Sequence, residues 1–304
     1  MASQHHCVLK TPTDFRWCAL VATMTLVFAG LSALSRTYST MPLGMFFGIL
    51  GCGWLCYIGL FKELGRKPTT YNQWILGIGG ALLIRLMCLG SVPIYEDDFA
   101  RFLVDGWSTL NYATPYAHKP VDLFHIENIP KSIQSWLSLV NHPDLPTVYG
   151  PGAQLWFALA YVLGQGTLIA FKLILLLAEL GCIHLVAQRW GRSTALLYAL
   201  NPLVITEVSI HCHFEPLALL PLLIGLAALA QKEDSKAGIF FALGWTTRIF
   251  AVPIVLYLLT QRRRWHILVP GALTTVALTL ALNPNLGGTS HLVFARHFEF
   301  NSGL

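Results

Sequence analysis

Three carboxylates stand in a row at Glu96, Asp97 and Asp98, directly after an apolar run. At the edge of a bilayer such neighbours repel one another and lose solvation. Either one of them holds its proton more tightly than usual, or a cation or Arg101 compensates. Two kinds of chemistry fit: a general base, or a site for a metal–phosphate group with a divalent cation such as Mg or Mn. A solvated helix N-terminus accounts for the same residues without chemistry, because acids there suit the helix dipole. At helical spacing Asp97, Asp98, Arg101 and Asp105 share one face, and Phe99, Phe102, Leu103 and Trp107 share the other. The pattern predicts an amphipathic helix lying on the membrane, apolar side down, with Gly106 as a late breaker.

A second polar group runs Glu207-Val208-Ser209-Ile210-His211-Cys212-His213-Phe214-Glu215. Helical spacing would put His211 and Glu215 one turn apart. Two imidazoles and an acid invite a zinc reading, but H-x-H-x-E is not a hydrolase zinc motif. His-x-His on a helix also diverges by about 200°. The alternatives are a substrate- or phosphate-binding role, in which His211, His213 and Glu215 contact the ligand, and a satisfied polar interface. Two arginines, Arg85 and Arg248, fall within apolar stretches. A charge there is costly in lipid, so each is a functional candidate with a phosphate or an acid as its partner. Snorkelling explains Lys172, near a span end, better than either arginine.

The elements that must position these groups are membrane helices. Of the 304 residues, 55% are hydrophobic and 12% charged, about half the charged fraction of soluble domains. The mean hydropathy is +0.58. A single soluble core cannot hide that much apolar surface. The net charge of +5 is spread out and leaves no nucleic-acid footprint. The seven cysteines include no CxxC pair and read as small hydrophobes. The first apolar run reads as a retained span rather than a cleaved signal, since no small-residue cleavage site follows it.

Spans are expected over 17–35, 41–61, 74–94, 168–187, 193–209, 216–231 and 265–282, each near the length a bilayer needs. Two stretches are awkward: 150–163, which is short and opens Gly150-Pro151-Gly152, and 237–260, broken near Thr246, Thr247, Arg248 and Pro253. Basic residues in cytoplasmic loops resolve both. With Lys62, Arg66, Lys67, Arg189, Arg192, Lys232, Lys236 and Arg262–Arg264 inside, 150–163 lies at the outer interface. The stretch 237–260 becomes a helical hairpin with Arg248 near its tip. Residues 95–163 are then a non-cytoplasmic loop of interfacial helices within one transmembrane domain spanning 1–304. Ten of the 15 acidic residues fall at or near the outer face: Glu96, Asp97, Asp98, Asp105, Asp122, Glu127, Asp144, Glu207, Glu215 and Glu299. Two turn-rich aromatic strings, Asn111–Tyr116 and Asn141–Pro151, read either as ordered loops or as a rim, Tyr149 included, that packs over a sugar or lipid headgroup.

The ordered set YEDDFARFLVDGW, NYATPY, NHPDLPTVYGP and NPLVITEVSIHCHFEPLALLPLLIGLA resembles the polyprenyl-phosphate-sugar-dependent membrane glycosyltransferases of type C (GT-C), nearest their bacterial mannosyltransferase-like branch, over residues 80–304. The resemblance implies an all-α polytopic bundle whose first outer loop carries a catalytic carboxylate, matched by Asp97 or Asp98 with Glu96 beside them. It implies a second acid where this chain has Glu215 in place of the usual Asp. It also implies a hairpin cation, often Lys, here Arg248. The implied partners are a polyprenyl-phosphate-linked sugar donor, a glycan or glycolipid acceptor and the membrane lipid itself. A divalent cation is an optional cofactor, and nucleic acid is not a partner. Similar sequences continue with more spans, so a truncated chain is expected. The implied place is a bacterial inner membrane with the site facing the periplasm, with the endoplasmic reticulum the lesser option. On this reading Arg248, aided by Arg101 or His211, steadies the leaving phosphate, and Glu96, Arg101 and Asp105 are expected to contact substrate. The competing expectations are a lipid or sugar transporter, which intramembrane arginines and broken helices would suit, and a truncated relative that binds without turnover.

Overall fold

The computed structural model describes residues 12–37, 41–65, 68–112, 114–249, 253–254, 257, 260 and 264–283. Lys10, Arg66, Lys67, Arg262, Arg263, Cys7, Glu299, most of the returning limb of the 237–260 hairpin and the tail from 284 lie outside the described residues, as does the Arg264 side chain. Every regular element among the described residues is helical. The elements are α1 (Pro12–Thr37), α2 (Leu43–Leu64), α3 (Tyr71–Cys88), α4 (Asp98–Tyr112), α5 (Pro120–Leu123), α6 (Lys131–Leu137) and α7 (Pro151–Gly164). They continue with α8 (Leu168–Trp190), α9 (Arg192–Ala199), the short α10 (Pro202–Val204), α11 (Glu215–Ala230), α12 (Asp234–Thr247) and α13 (Arg264–Leu282). A π-helical stretch, Ile205–Ile210, extends α10.

Among the described residues four helices are long and apolar enough to cross a membrane: Asp14–Thr37, Leu43–Leu64, Leu168–Trp190 and Trp265–Leu282. Arg192–Ala199 with Pro202–Ile210, bent by 46°, makes a fifth if taken as one broken span. The expected span at 216–231 is a helix of 16 residues. It reaches about 24 Å at 1.5 Å per residue, short of the hydrocarbon core of about 30 Å. The expected span at 74–94 forms an 18-residue helix that stops at Cys88. The stretch 150–163 forms a helix of 14 residues, too short to cross.

The chain divides into two compact units, 1–95 with 180–213 and 96–179 with 214–304. In the first, α1 packs against α2 and α3 through a stripe of Trp17, Val21, Met24, Phe28 and Leu31, all buried. Their spacing of three and four residues keeps one helix face inward and leaves Leu26 outward. Thr70 and Gln73 form a reciprocal capping box that starts α3. At the other end of α3, Arg85 is buried and donates to the carbonyls of Ala81, at 3.0 Å, and Ala199, at 2.8 Å. Ala199 ends α9, where Pro202 removes a donor and the span breaks. The buried Arg85 therefore answers a carbonyl that the broken helix leaves open.

In the second unit α4 packs against α6 and α7, and α12 against α7, α11 and α13. Phe99 through Thr109 are all buried, so α4 is covered on both faces instead of resting its apolar side on a membrane. Gly106 lies inside α4 and does not break it. A Cβ there would collide with the Phe157 carbonyl of α7, so glycine is what lets the two helices approach. Lys172 is 3% exposed and does not snorkel.

Candidate functional site

The second unit brings several of the expected residues together. Asp97 precedes α4 and Asp98 opens it. The Asp98 backbone N–H donates to Glu96 Oε1 at 3.1 Å, which folds the three carboxylates into a tight turn. One oxygen from each of Glu96, Asp97 and Asp98 lies within 4.8 Å of the others. This cluster has the donor type and spacing to hold a hard divalent cation. Lost solvation, then the charges of Asp98 and Glu96, raise the Asp97 carboxyl above its ordinary value.

Tyr149 donates its hydroxyl to Asp98 Oδ2 at 3.0 Å. Burial, reinforced by the Asp98 charge, pushes the Tyr149 phenol well up, so it stays protonated and remains a donor. Its ring packs edge-on against Phe102, Phe157 and Phe214. Its backbone is pinned as well: the buried Tyr116 hydroxyl donates to the Tyr149 carbonyl at 2.9 Å.

The loop that delivers Tyr149 is stapled to α4 at two successive turns. Arg101 donates to the carbonyls of Asn141, His142 and Leu145 at 3.2, 2.9 and 3.0 Å. One turn on, Asp105 Oδ2 accepts from Thr147 Oγ1 at 2.5 Å and from Gln154 Nε2 at 3.1 Å. Gln154 also donates to Thr147 Oγ1 at 3.0 Å, and Thr109 donates to Gln154 Oε1 at 3.3 Å. Burial raises the Asp105 carboxyl, and Arg101, Thr147 and Gln154 oppose the rise. Arg101 and Asp105 were expected to meet substrate. The fold instead occupies them both, at 7% and 4% exposure, as struts for the loop.

Beside Tyr149 lies a cavity of about 610 Å³ lined by Tyr116, Tyr149, Gly150, Thr246, Thr247 and Arg248, with Trp245 and the α13 residues Thr275, Thr279 and Asn283 completing its wall. That volume suits a small-molecule headgroup. Gly150 caps α7, and a Cβ on it would collide with the Thr246 carbonyl. Glycine at this point brings the start of α7 against the end of α12. Arg248 follows α12 in an extended conformation, placing a cation at a helix C-terminus. Its guanidinium lies 3.9 Å over the Phe214 ring and 5.9 Å from the Tyr149 ring. Nη2 meets Glu215 Oε1 at 3.0 Å. Arg248 Nε and Glu215 Oε2 are buried without a hydrogen-bond partner.

The other histidine group belongs to the first unit. Glu207 Oε2 meets His213 Nδ1 at 2.7 Å, and Glu207 Oε1 meets His211 Nδ1 at 3.6 Å. His211 stacks on Phe46. The expected one-turn relation of His211 to Glu215 is not formed: Cys212 has φ +68°, the π-helical stretch ends before it, and Glu215 begins a new helix. The acid one turn from His211 is Glu207, on its N-terminal side. Tyr116, Thr147, Gln154, Thr246 and Thr247 were not anticipated. The only signals for them were the turn-rich strings around the first two, the Gly150-Pro151-Gly152 run before Gln154, and the break after Thr247.

No family model, no curated protein and no solved structure matches the chain, so the resemblance to GT-C glycosyltransferases rests on the sequence motifs alone.

Proposed function

We propose that the chain is a membrane glycosyltransferase that moves a mannose-like hexose from a polyprenyl-phosphate carrier to an acceptor hydroxyl at the outer face of the membrane, a bacterial inner membrane with the site toward the periplasm. The observation that carries this reading is Tyr149: its hydroxyl holds the Asp98 carboxylate, and its ring borders the cavity that contains the Arg248 cation. A base and an anion-stabilising group thus flank one aromatic side chain, as a displacement on a phosphate-activated sugar requires. Asp98, with Asp97 beside it, takes the acceptor's proton. The acceptor oxygen bonds to the anomeric carbon as the carbon–oxygen bond to phosphate breaks. The lipid phosphate departs with its charge against Arg248. Glu96 and Asp97 supply further oxygens should a divalent cation take part. A donor anchored in lipid also removes the need for a soluble nucleotide-binding domain. The broken span after Ala199 favours a second reading, a lipid or sugar transporter, in which such a break would line a substrate path.

The test is donor turnover by purified protein in detergent, given radiolabelled polyprenyl-phospho-mannose and crude membrane glycolipid. Wild type is expected to consume the donor, and Asp98→Asn to fold normally and consume none. Near-normal turnover in Asp98→Asn removes that residue as the base. An intact donor that only changes sides in vesicles selects the transporter.

A further inference from the structure

The ion pair at the cavity is only half made. A guanidinium offers Nε and Nη2 along one edge, a fork that a carboxylate normally fills with two parallel bonds. Here Glu215 Oε1 takes Nη2 at 3.0 Å, while Nε and Oε2 are both buried with no partner. Two unsatisfied polar atoms on paired, oppositely charged side chains cost free energy that a bidentate arrangement would recover. The backbone on both sides explains the offset. Glu215 is fixed as the first residue of α11 and Arg248 as the residue that ends α12. Phe214 lies under the guanidinium and holds its plane. Among the described residues of the cavity wall Arg248 is the one that carries a charge; Glu215 does not line it. A ligand in the cavity therefore meets a cation whose counter-charge lies outside the wall and whose fork is half empty.

We propose that Glu215 is a displaceable counter-ion: it neutralises Arg248 while the cavity is empty and gives the guanidinium up to an anionic oxygen group of the phosphate class when one enters. The proposal rests on the reading that this cavity receives the phosphate of a lipid-linked sugar, and it adds that the site carries its own competitor for that phosphate. A half-exposed ion pair holds weakly, because solvent screens it. Glu215 and Arg248 keep 45% and 29% of their side-chain surface exposed, so the competitor sets a threshold without closing the site.

The experiment is binding of farnesyl phosphate to the purified full chain in detergent by titration calorimetry, with farnesol and inorganic phosphate as separate arms. Glu215→Gln is expected to bind farnesyl phosphate about fivefold tighter than wild type, the factor a screened pair is worth. Arg248→Gln is expected to bind at least tenfold weaker. In the double variant the gain from Glu215→Gln disappears, because the two residues act as a pair. Glu215→Asp, one methylene shorter, is expected to tighten binding too and serves where Glu215→Gln does not fold. Weaker or unchanged binding in the folded Glu215 variants overturns the proposal, as does farnesol binding as tightly as farnesyl phosphate. Inorganic phosphate competing at the same concentration as farnesyl phosphate supports the counter-ion role with a soluble ion as the ligand. The transferase reading fails separately, on absence of donor consumption, so the two failures are distinguishable.

Discussion

Replacing Asp105 tests whether the site is held from α4. Its Oδ2 accepts from both Thr147 and Gln154 in a fully buried setting. Asp105→Leu removes the one oxygen that accepts from both. Gln154 retains its bond to Thr147 Oγ1, but the Thr147 hydroxyl proton and the second amide hydrogen are stranded. Each stranded donor costs about 1–3 kcal/mol. The buried Arg101 also loses an opposing charge, so the total is at least about 2–6 kcal/mol, a large part of a typical folding free energy. Asp105→Asn can present a carbonyl to the same two donors, and is expected to cost about 1 kcal/mol or less at acidic pH. The two variants also separate in their pH dependence. Burial raises the Asp105 carboxyl in the folded state. Between its ordinary value and that raised value, the native protein keeps a proton that the unfolded chain has released. Stability is therefore full below the ordinary carboxylate range and declines as pH rises through the window. Asp97, also raised, contributes with the same sign. Asp105→Asn is expected to flatten most of the decline and leave the share from Asp97. Thermal unfolding in detergent from about pH 4 to about pH 8 reads both effects. An Asp105→Leu midpoint equal to wild type refutes the assignment of Asp105 as the strut of the loop, and a wild-type midpoint that rises across this range refutes the raised carboxyl.

Two further perturbations probe the framework. Arg85→Met fills a similar volume but leaves the Ala199 carbonyl at the broken span without its donor. It is expected to destabilise by about 1–3 kcal/mol, read as a lower unfolding midpoint; an unchanged midpoint shows that another donor serves the break. Gly150→Ala drives a methyl into the Thr246 carbonyl and is expected to cost about 1–3 kcal/mol through overpacking. Gly79→Ala on α3, with open space around it, is expected to be neutral or slightly stabilising. Equal effects of the two substitutions would dismiss the close approach of α7 to α12.

The membrane helices were legible because length and hydropathy are summed over twenty residues, where single exceptions average out. Residues 17–35, 168–187 and 265–282 each fall inside a helix long and apolar enough to cross, and 41–61 overlaps one that begins two residues later, at Leu43. The break after Ala199 was not legible, although Asn201-Pro202 is a turn signal, because the surrounding hydropathy is continuous. The amphipathic period of α4 was read correctly as a helix. Its environment was misjudged, because periodicity reports which residues share a face and says nothing of what covers that face. A charged face meets water in the usual case. Here it meets the carbonyls of 141, 142 and 145 and the side chains of Thr147 and Gln154. For Asp98, Tyr149 and Arg248 the sequence supplied the residues but not their juxtaposition, since Tyr149 is more than fifty residues from one and nearly a hundred from the other.

What separates structural charges from candidate functional ones in this chain is unused hydrogen-bonding capacity. Arg101 directs three bonds to backbone carbonyls, and Asp105 holds two donors on a single oxygen. Arg85 bonds two carbonyls of its own unit. Each of these charges was conspicuous in the sequence, and each is taken up by the fold. Such a group could reach a ligand only by surrendering bonds it already makes, at about 1–3 kcal/mol apiece. Arg248 differs: it makes one bond to a half-exposed carboxylate and keeps a buried Nε that nothing meets. Its bonding improves when a ligand arrives. Catalysis draws on interactions that strengthen along the reaction, and a cation whose fork is half empty before the leaving group develops charge is placed to gain one. A charge that the fold already satisfies can only hold the others in position, which is the part Arg101 and Asp105 play for Tyr149, and through it for Asp98.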